Sequence, residues 1–303
     1  MTGGAGFIGS NLTLALQDRR PDSQITVVDS LTGGTKENLS EYRGHLLEED
    51  VSDHSLIRRL VAIRPNVIFH MAALTDTRLT DRQLMYRINV EGFRNMLDVG
   101  VECGSIVVYA SSAAVYGINP APLSETSPLK PTNIYGESKV AMEDTARSYC
   151  DRYPQLKVLG FRYFNVYGPR ESHKKDYASM IFQLAQQIRA GRRPRIFRGG
   201  EQKRDFIYIK DVVELTLRAL DAPRSGIYNA GTGLPISFNE IVTLLNKVLR
   251  TRYEPEFFEN PYPFYQPHTE ADMANTKKEL NFTPRYGIVE GVTEYLTDYF
   301  QNK

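Results

Sequence analysis

Along the first half of the chain, continuous apolar runs alternate with stretches of helical period. Ile25-Thr-Val-Val-Asp29 reads as a buried strand ending in an acid. Val67-Ile-Phe-His-Met-Ala-Ala73 and Ser105-Ile-Val-Val-Tyr-Ala110 are continuous apolar runs, and Val158 to Phe164 is a further strand candidate. Between them the pattern predicts helices over Phe7 to Leu16, Gln83 to Val101 and Ile134 to Tyr153. Apolar strands alternating with helices point to a parallel sheet covered on both faces. After Val166 the texture changes. Phe206 to Ile209 reads as another apolar strand, and Tyr253 to Tyr265, rich in Pro and aromatics, reads as a covering loop.

The opening segment, Met-Thr-Gly-Gly-Ala-Gly-Phe-Ile-Gly-Ser, places Gly3, Gly6 and Gly9 at every third position. Glycine allows sharp turns and lets a ligand approach the main chain. The helix that follows offers free N–H groups and a partial positive charge, which suit a pyrophosphate. A glycine triplet alone also fits a tight loop. Asp29, 20 residues after Gly9, supplies the second element, because a dinucleotide fold puts its ribose-binding carboxylate there. The expected fold is α/β, a Rossmann-type doubly wound parallel sheet with a smaller C-terminal substrate domain. The expected division is a dinucleotide-binding domain over 1–165 and a substrate domain over 166–303, with 205–229 returning to the first. An apolar strand normally precedes such a loop, and only Met1 and Thr2 stand before Gly3. The first strand is expected to be absent from this chain, through a wrong start site or a fragment, leaving a gap in the sheet beside the cofactor.

Composition narrows the class without choosing a function. The 303 residues suffice for one large domain or two coupled ones, and 41% hydrophobic with 24% charged residues is ordinary for a globular protein. A net charge of +1 argues against a polyanion binder, so no nucleic-acid partner is expected. No stretch approaches the ~20 apolar residues of a membrane span, so no membrane partner is expected. Cys103 and Cys150 have neither metal nor redox spacing and suggest a reducing compartment, hence a cytoplasmic protein. The five histidines are scattered, and no metal is expected.

Tyr135 and Lys139 lie four apart at the start of a helix, on one face. A lysine ammonium beside a phenol favours the phenolate and is expected to lower its pKa, which suits a general acid or base. Ser111 and Ser112 end a predicted parallel strand, where ligands of such sheets bind. Between 170 and 204 the chain holds ten Lys or Arg against three acids. That excess reads as a pocket for a diphosphate-linked substrate or as a solvated surface.

These stretches together resemble the extended short-chain dehydrogenase/reductase family, over essentially the whole chain. The resemblance rests on the glycine loop, Ser-Ser-Ala-Ala-Val-Tyr-Gly at 111–117, Tyr135-x-x-x-Lys139, Arg162-Tyr-Phe-Asn-Val-Tyr-Gly-Pro-Arg170 and Arg204-Asp-Phe-Ile-Tyr-Ile-Lys-Asp211. It implies action on a nucleotide-diphosphate sugar with a bound nicotinamide cofactor, in a homo-oligomer of two or more copies. It implies Ser112, in preference to Ser111, with Tyr135 and Lys139 as the catalytic set. Ala113 and Ala114 stand where the family's dehydratases carry an Asp-Glu pair, which leaves epimerases.

Within the family, Gly168-Pro-Arg-Glu-Ser-His-Lys-Lys-Asp-Tyr-Ala-Ser179, Tyr265-Gln-Pro-His-Thr-Glu-Ala-Asp-Met273 and Gly291-Val-Thr-Glu-Tyr295 look like the ADP-glycero-manno-heptose 6-epimerase branch, whose members serve lipopolysaccharide biosynthesis. Lys174 falls on that branch's second base; a phosphate contact or a surface lysine is the plainer alternative. Asn165, Phe197, Arg204 and Tyr265 match substrate contacts. The branch often has Ser where Asp176 stands, His where Gln183 stands, and Phe-Glu-Gly-Ser where this chain has Phe197-Arg198-Gly199-Gly200. These departures bear on the sugar more than on the reaction. The implied cofactor positions are Gly3, Gly6, Phe7, Ile8 and Gly9 in the loop, Asp29 and Ser30 after the next strand, Ala72 and Ala73 in the Met71–Thr75 turn, and Asn89, Tyr135 and Lys139. Asp29 favours NAD by repelling a 2′-phosphate, whereas Lys36 matches a lysine that the branch places near the NADP phosphate. The cofactor is thus NAD or NADP. A UDP-hexose 4-epimerase, a simple reductase and a non-catalytic dinucleotide-binding protein are the rival readings.

Overall fold

A computed structural model describes residues 1–261 and 265–301. In chain order its strands are β1 (Thr26–Val28), β2 (His45–Leu47), β3 (Val67–His70), β4 (Ile106–Ser112), β5 (Val158–Tyr163), β6 (Asn165–Tyr167), β7 (Arg195–Phe197), β8 (Lys203–Arg204), β9 (Phe206–Tyr208), β10 (Gly226–Ala230), β11 (Ile236–Ser237) and β12 (Glu256–Phe258). The main sheet runs β10-β5-β4-β3 and continues to β1-β2, with every strand parallel.

Thr2 joins the two parts. It bridges Val28 on one side and His70 on the other, both in parallel sense. Its N–H donates to Phe69 O at 2.9 Å, its carbonyl accepts from Met71 N–H at 3.0 Å, and Gly3 N–H donates to Val28 O at 2.8 Å. The sheet is therefore closed at its carboxyl end, beside the glycine loop, where a gap was expected. With Met1 and Thr2 counted as a strand, the order is that of a doubly wound dinucleotide fold.

Alternation along the central strands explains why they are apolar throughout. Phe69, Val108, Leu159 and Phe161 face one core, which holds Phe7 and Leu12 of the helix Phe7–Arg19 and Val212 and Leu215 of the helix Ile209–Arg218. Ile68, Val107, Tyr109 and Val158 face the other, against Leu56, Phe93, Leu97 and Met142. Each strand side chain thus meets a helix, on one face or the other. The first core runs on without a break into the C-terminal half, through Phe182, Leu184, Ile241 and Leu296.

Two elements differ from the sequence pattern. The helical stretch expected over Gln83 to Val101 is three pieces: Arg82–Tyr86, a π turn over Arg87–Glu91, and Gly92–Cys103. The Tyr253 to Tyr265 segment contains β12, which pairs with β7 in parallel; residues 262–264 of it lie outside the described residues. A strand forms there because Phe258 packs edge-on against Phe197, with ring centroids 4.9 Å apart. No helix among the described residues is long and apolar enough to cross a membrane.

Candidate active site

The glycine loop is packed as tightly as glycine allows. Gly3 has φ +66°, and a Cβ there would lie 2.4 Å from the Ala72 backbone nitrogen. A Cβ on Gly9 would lie 2.0 Å from Gly3 O. Gly6 precedes the helix Phe7–Arg19 and has no side chain to cap it. The N–H groups of Phe7 and Ile8 at that terminus therefore suit an anionic ligand. Asp29, at the end of β1, accepts from Ala5 N–H at 2.8 Å and Leu31 N–H at 2.9 Å. This pins the acid to the loop and leaves each oxygen a further lone pair for a hydroxyl. These residues fit the pyrophosphate and ribose of a dinucleotide.

The other cofactor candidates divide. Ala72 and Ala73 are partly buried beside the loop, while Ser30 is exposed and bonds Thr32 at 2.9 Å. Lys36 is exposed and paired with Glu48. Asn89 is fully buried. It sits on the π turn and reaches two elements at once, accepting from Leu74 N–H at 2.8 Å and donating to Ser138 Oγ at 3.0 Å. Asn89 thus fixes the turn after β3 against the helix Ile134–Arg152. π turns of this kind recur at functional sites.

Ser112, Tyr135 and Lys139 come together. Ser112 ends β4, Asn133 caps the helix Ile134–Arg152 through Gly136 N–H at 2.8 Å, and Tyr135 lies in its first turn. The Ser112 hydroxyl hydrogen-bonds the Tyr135 hydroxyl. Lys139 is 1% exposed, donates to Ala110 O at 2.7 Å, and holds its ammonium 5.7 Å from the Tyr135 ring centroid. Burial pulls the Lys139 pKa down to about 7, against the opposing pull of Glu143. The expectation that Tyr135 has a lowered pKa is corrected. Burial of its hydroxyl raises it, and the bond from Ser112 offsets only part of this. Desolvation wins because the lysine is itself desolvated and bonded to a carbonyl. Ser111 points the other way, donating to Glu143 Oε1 at 2.6 Å.

The substrate candidates form a second group. Arg204 stands 4.8 Å over the Tyr265 ring and hydrogen-bonds its hydroxyl. Tyr265 meets Phe197 edge-on at 5.1 Å. Asn165 donates to Asp205 O at 3.2 Å. Lys174 is partly buried, its ammonium 5.7 Å from the Phe7 ring centroid, and desolvation lowers its pKa. The basic stretch 170–204 is mostly not pocket. Arg195 pairs with Glu256 at 3.0 Å, Arg198 with Glu259 at 2.7 Å and Arg170 with Glu41 at 2.7 Å, and Arg193 bonds the Pro255 carbonyl at 2.6 Å.

Two acids that bear on the site escaped sequence reasoning. Glu143 and Arg162, both 3% exposed in their side chains, form a bidentate pair at 2.9 and 2.6 Å beneath Ser111. Arg162 also donates to Tyr116 OH at 3.0 Å, and Tyr116 to Asn229 Oδ1 at 2.6 Å. Glu143 lies four residues beyond Lys139, a signal that could have been read. Glu171 is fully buried and accepts from Gly168 N–H at 3.0 Å and from Ser179 N–H and Oγ at 2.5 and 3.0 Å.

Known proteins match this arrangement. The family model described as NAD dependent epimerase/dehydratase matches residues 1–231. The ADP-L-glycero-D-manno-heptose-6-epimerase of Helicobacter pylori is similar at 36% identity, covering 99% of this chain and 95% of that one, with a TM-score of 0.93. The UDP-glucose 4-epimerase of Thermotoga maritima, solved with UDP-glucose, is similar at 28% identity over 99% and 97%, TM-score 0.92. That of Thermus thermophilus, solved with NAD, is similar at 27% over 99% and 97%, TM-score 0.87.

Proposed function

The chain belongs to the NAD dependent epimerase/dehydratase family, and from that premise we propose that it is an NAD-using nucleotide-sugar epimerase acting on an ADP-glycero-manno-heptose at C6. Such a reaction takes a hydride from carbon and a proton from its hydroxyl, then returns both with the carbonyl presented from its other face. When bound, the oxidised nicotinamide supplies the hydride acceptor and a positive charge. Tyr135 takes the hydroxyl proton and gives it back. Burial favours its neutral phenol, the form that donates, while the hydrogen bond from Ser112 favours the phenolate, the form that accepts. Ser112 holds the substrate oxygen beside Tyr135. Arg204 and Tyr265 are placed to hold the diphosphate and nucleotide end.

The observation that carries the reading is Lys174. A second lysine, set over the first residue of the cofactor helix and with its pKa lowered by desolvation, gives the site a second candidate for moving a proton. The 36% identity to a heptose 6-epimerase over nearly the whole chain supports the same choice. A UDP-hexose 4-epimerase is the second reading, favoured by the likeness to two such enzymes. An NMR time course with ADP-D-glycero-D-manno-heptose, and UDP-galactose in parallel, separates them. Inversion of the heptose alone, lost at least about 100-fold in Lys174→Ala, supports the proposal. Inversion of the UDP-sugar alone, with Lys174→Ala mostly active, overturns it.

A further inference from the structure

Residues 168–179 leave the core at Gly168 and return at Ser179, and the buried Glu171 carboxylate ties the two ends together. Between these ends the segment 169–177 crosses the glycine loop from side to side. On one side, Pro169 O accepts from Asn11 Nδ2 at 3.0 Å and Arg170 O from Asn38 Nδ2 at 3.3 Å. Asn38 also meets His173 Nδ1 at 3.1 Å and bonds Ala5 O of the loop itself at 3.0 Å. In the middle, Lys174 lies over Phe7. On the far side, Tyr177 OH donates to Asp76 Oδ2 at 2.6 Å, and the Arg78 guanidinium lies 4.4 Å over the Tyr177 ring. Asp76 belongs to the loop that follows β3, across the groove from Asn38.

The crossing segment is also strained. Arg170 has φ +70°, and Lys175 has φ +50° with ψ −116°. Side chains other than glycine hold such conformations only where their contacts enforce them. The far-side contact is the more accessible one, since Tyr177 is 43% exposed. The segment is thus anchored at its base and fastened at an exposed tip.

We propose that 169–177 is a strap over the bound dinucleotide, and that the Tyr177–Asp76 clasp, backed by Arg78, sets how fast the cofactor enters and leaves. A ligand with its pyrophosphate on the glycine loop and its ribose at Asp29 would lie beneath this span. The proposal rests on the dinucleotide reading of the groove and not on the choice of sugar. It suits a reaction that returns its hydride to the same molecule, because such a cofactor has no need to exchange.

The test uses the full chain loaded with NADH and mixed with excess NAD, with release followed by the loss of NADH fluorescence. Tyr177→Phe removes the donor and Asp76→Ala the acceptor of one hydrogen bond to a charged group, and release is expected to quicken about tenfold in each. The double variant is expected to match the singles. NADH capture is expected to quicken too, since an opened strap admits as well as releases. Release within about twofold of the parent in both variants overturns the proposal. So does faster release with unchanged capture, which makes the pair an ordinary ligand contact. A parent protein that holds no NADH overturns the strap together with the cofactor assignment. No sugar is present, so failure of the proposed epimerisation leaves the result intact.

Discussion

Lys139 and Lys174, the two lysines of the proposed site, carry the same side chain on two different kinds of backbone. Lys139 stands on a helix of 19 residues packed against the central sheet, bonded to a strand carbonyl and 1% exposed. Lys174 stands on a short 3-10 turn, Ser172–Tyr177, whose backbone is strained and whose outer contacts face water. Both ammonium groups are desolvated and both have lowered pKa values. The difference is in what holds them. The first is over-determined by packing, with no alternative position that keeps the core closed. The second is held by a handful of bonds that can be released one at a time. A site can therefore keep its reference point rigid while one wall stays movable.

The largest effect should come from the support under Lys139. Glu143→Ala leaves the Arg162 guanidinium buried and unpaired, which costs about 3–5 kcal/mol. Chemical denaturation should show it, and a loss under about 1 kcal/mol would mean that water reaches this region. Next comes the chemistry itself. Tyr135→Phe keeps the ring but removes the exchangeable proton, so turnover should fall at least about 100-fold with the fold unchanged. Near-parental activity in that variant would remove Tyr135 from the mechanism.

A smaller effect concerns pH. Burial lowers the Lys139 pKa from the ordinary lysine value of 10.5 to about 7 in the native protein. Between these values the unfolded chain binds a proton that the native chain does not, so stability rises with pH across this window. Tyr135 acts in the opposite sense, because its pKa is raised and its share begins above the usual tyrosine value of 10.0. Between pH 7 and 10, unfolding of the cofactor-free protein should therefore show a rising stability that Lys139→Met flattens. An identical slope in the variant would show that Lys139 is hydrated. The smallest effect belongs to the strap's rim. The Arg170–Glu41 pair is exposed, Glu41 by 71%, so Glu41→Gln should cost no more than about 1 kcal/mol in thermal unfolding. A larger loss would make the strap as rigid as the helix and erase the contrast between the two lysines.

What could be read in the sequence follows the same division. That Ser112, Tyr135 and Lys139 come together was legible because a strand end and an i, i+4 spacing are local facts. So was the alternation of strands that builds the central sheet. The sign of the Tyr135 shift was not legible, because it depends on how deeply the hydroxyl is buried and on Lys139 being bonded to Ala110 O. The Glu143–Arg162 pair joins a helix to a strand 19 residues on, and no pattern along the chain announces which acid will meet which base. The cluster of cations after 170 misled for a related reason. Charge density in sequence does not tell inward from outward, and Arg195 and Arg198 turn out to face acids on and beside β12, a strand hidden in a proline-rich stretch that reads as a loop.

The strap has a consequence for how the protein sits in its chemical surroundings. A coenzyme that exchanges freely reports the oxidised-to-reduced ratio of the dissolved pool at every turnover. One fastened beneath residues 169–177 reports only the last thing its own substrate did. Such a molecule behaves as a private redox couple, indifferent to swings in the pool but exposed to a different hazard. A substrate that departs half-way, as the ketone, strands it in the reduced form, and recovery then waits on the opening of a single tyrosine–aspartate bond.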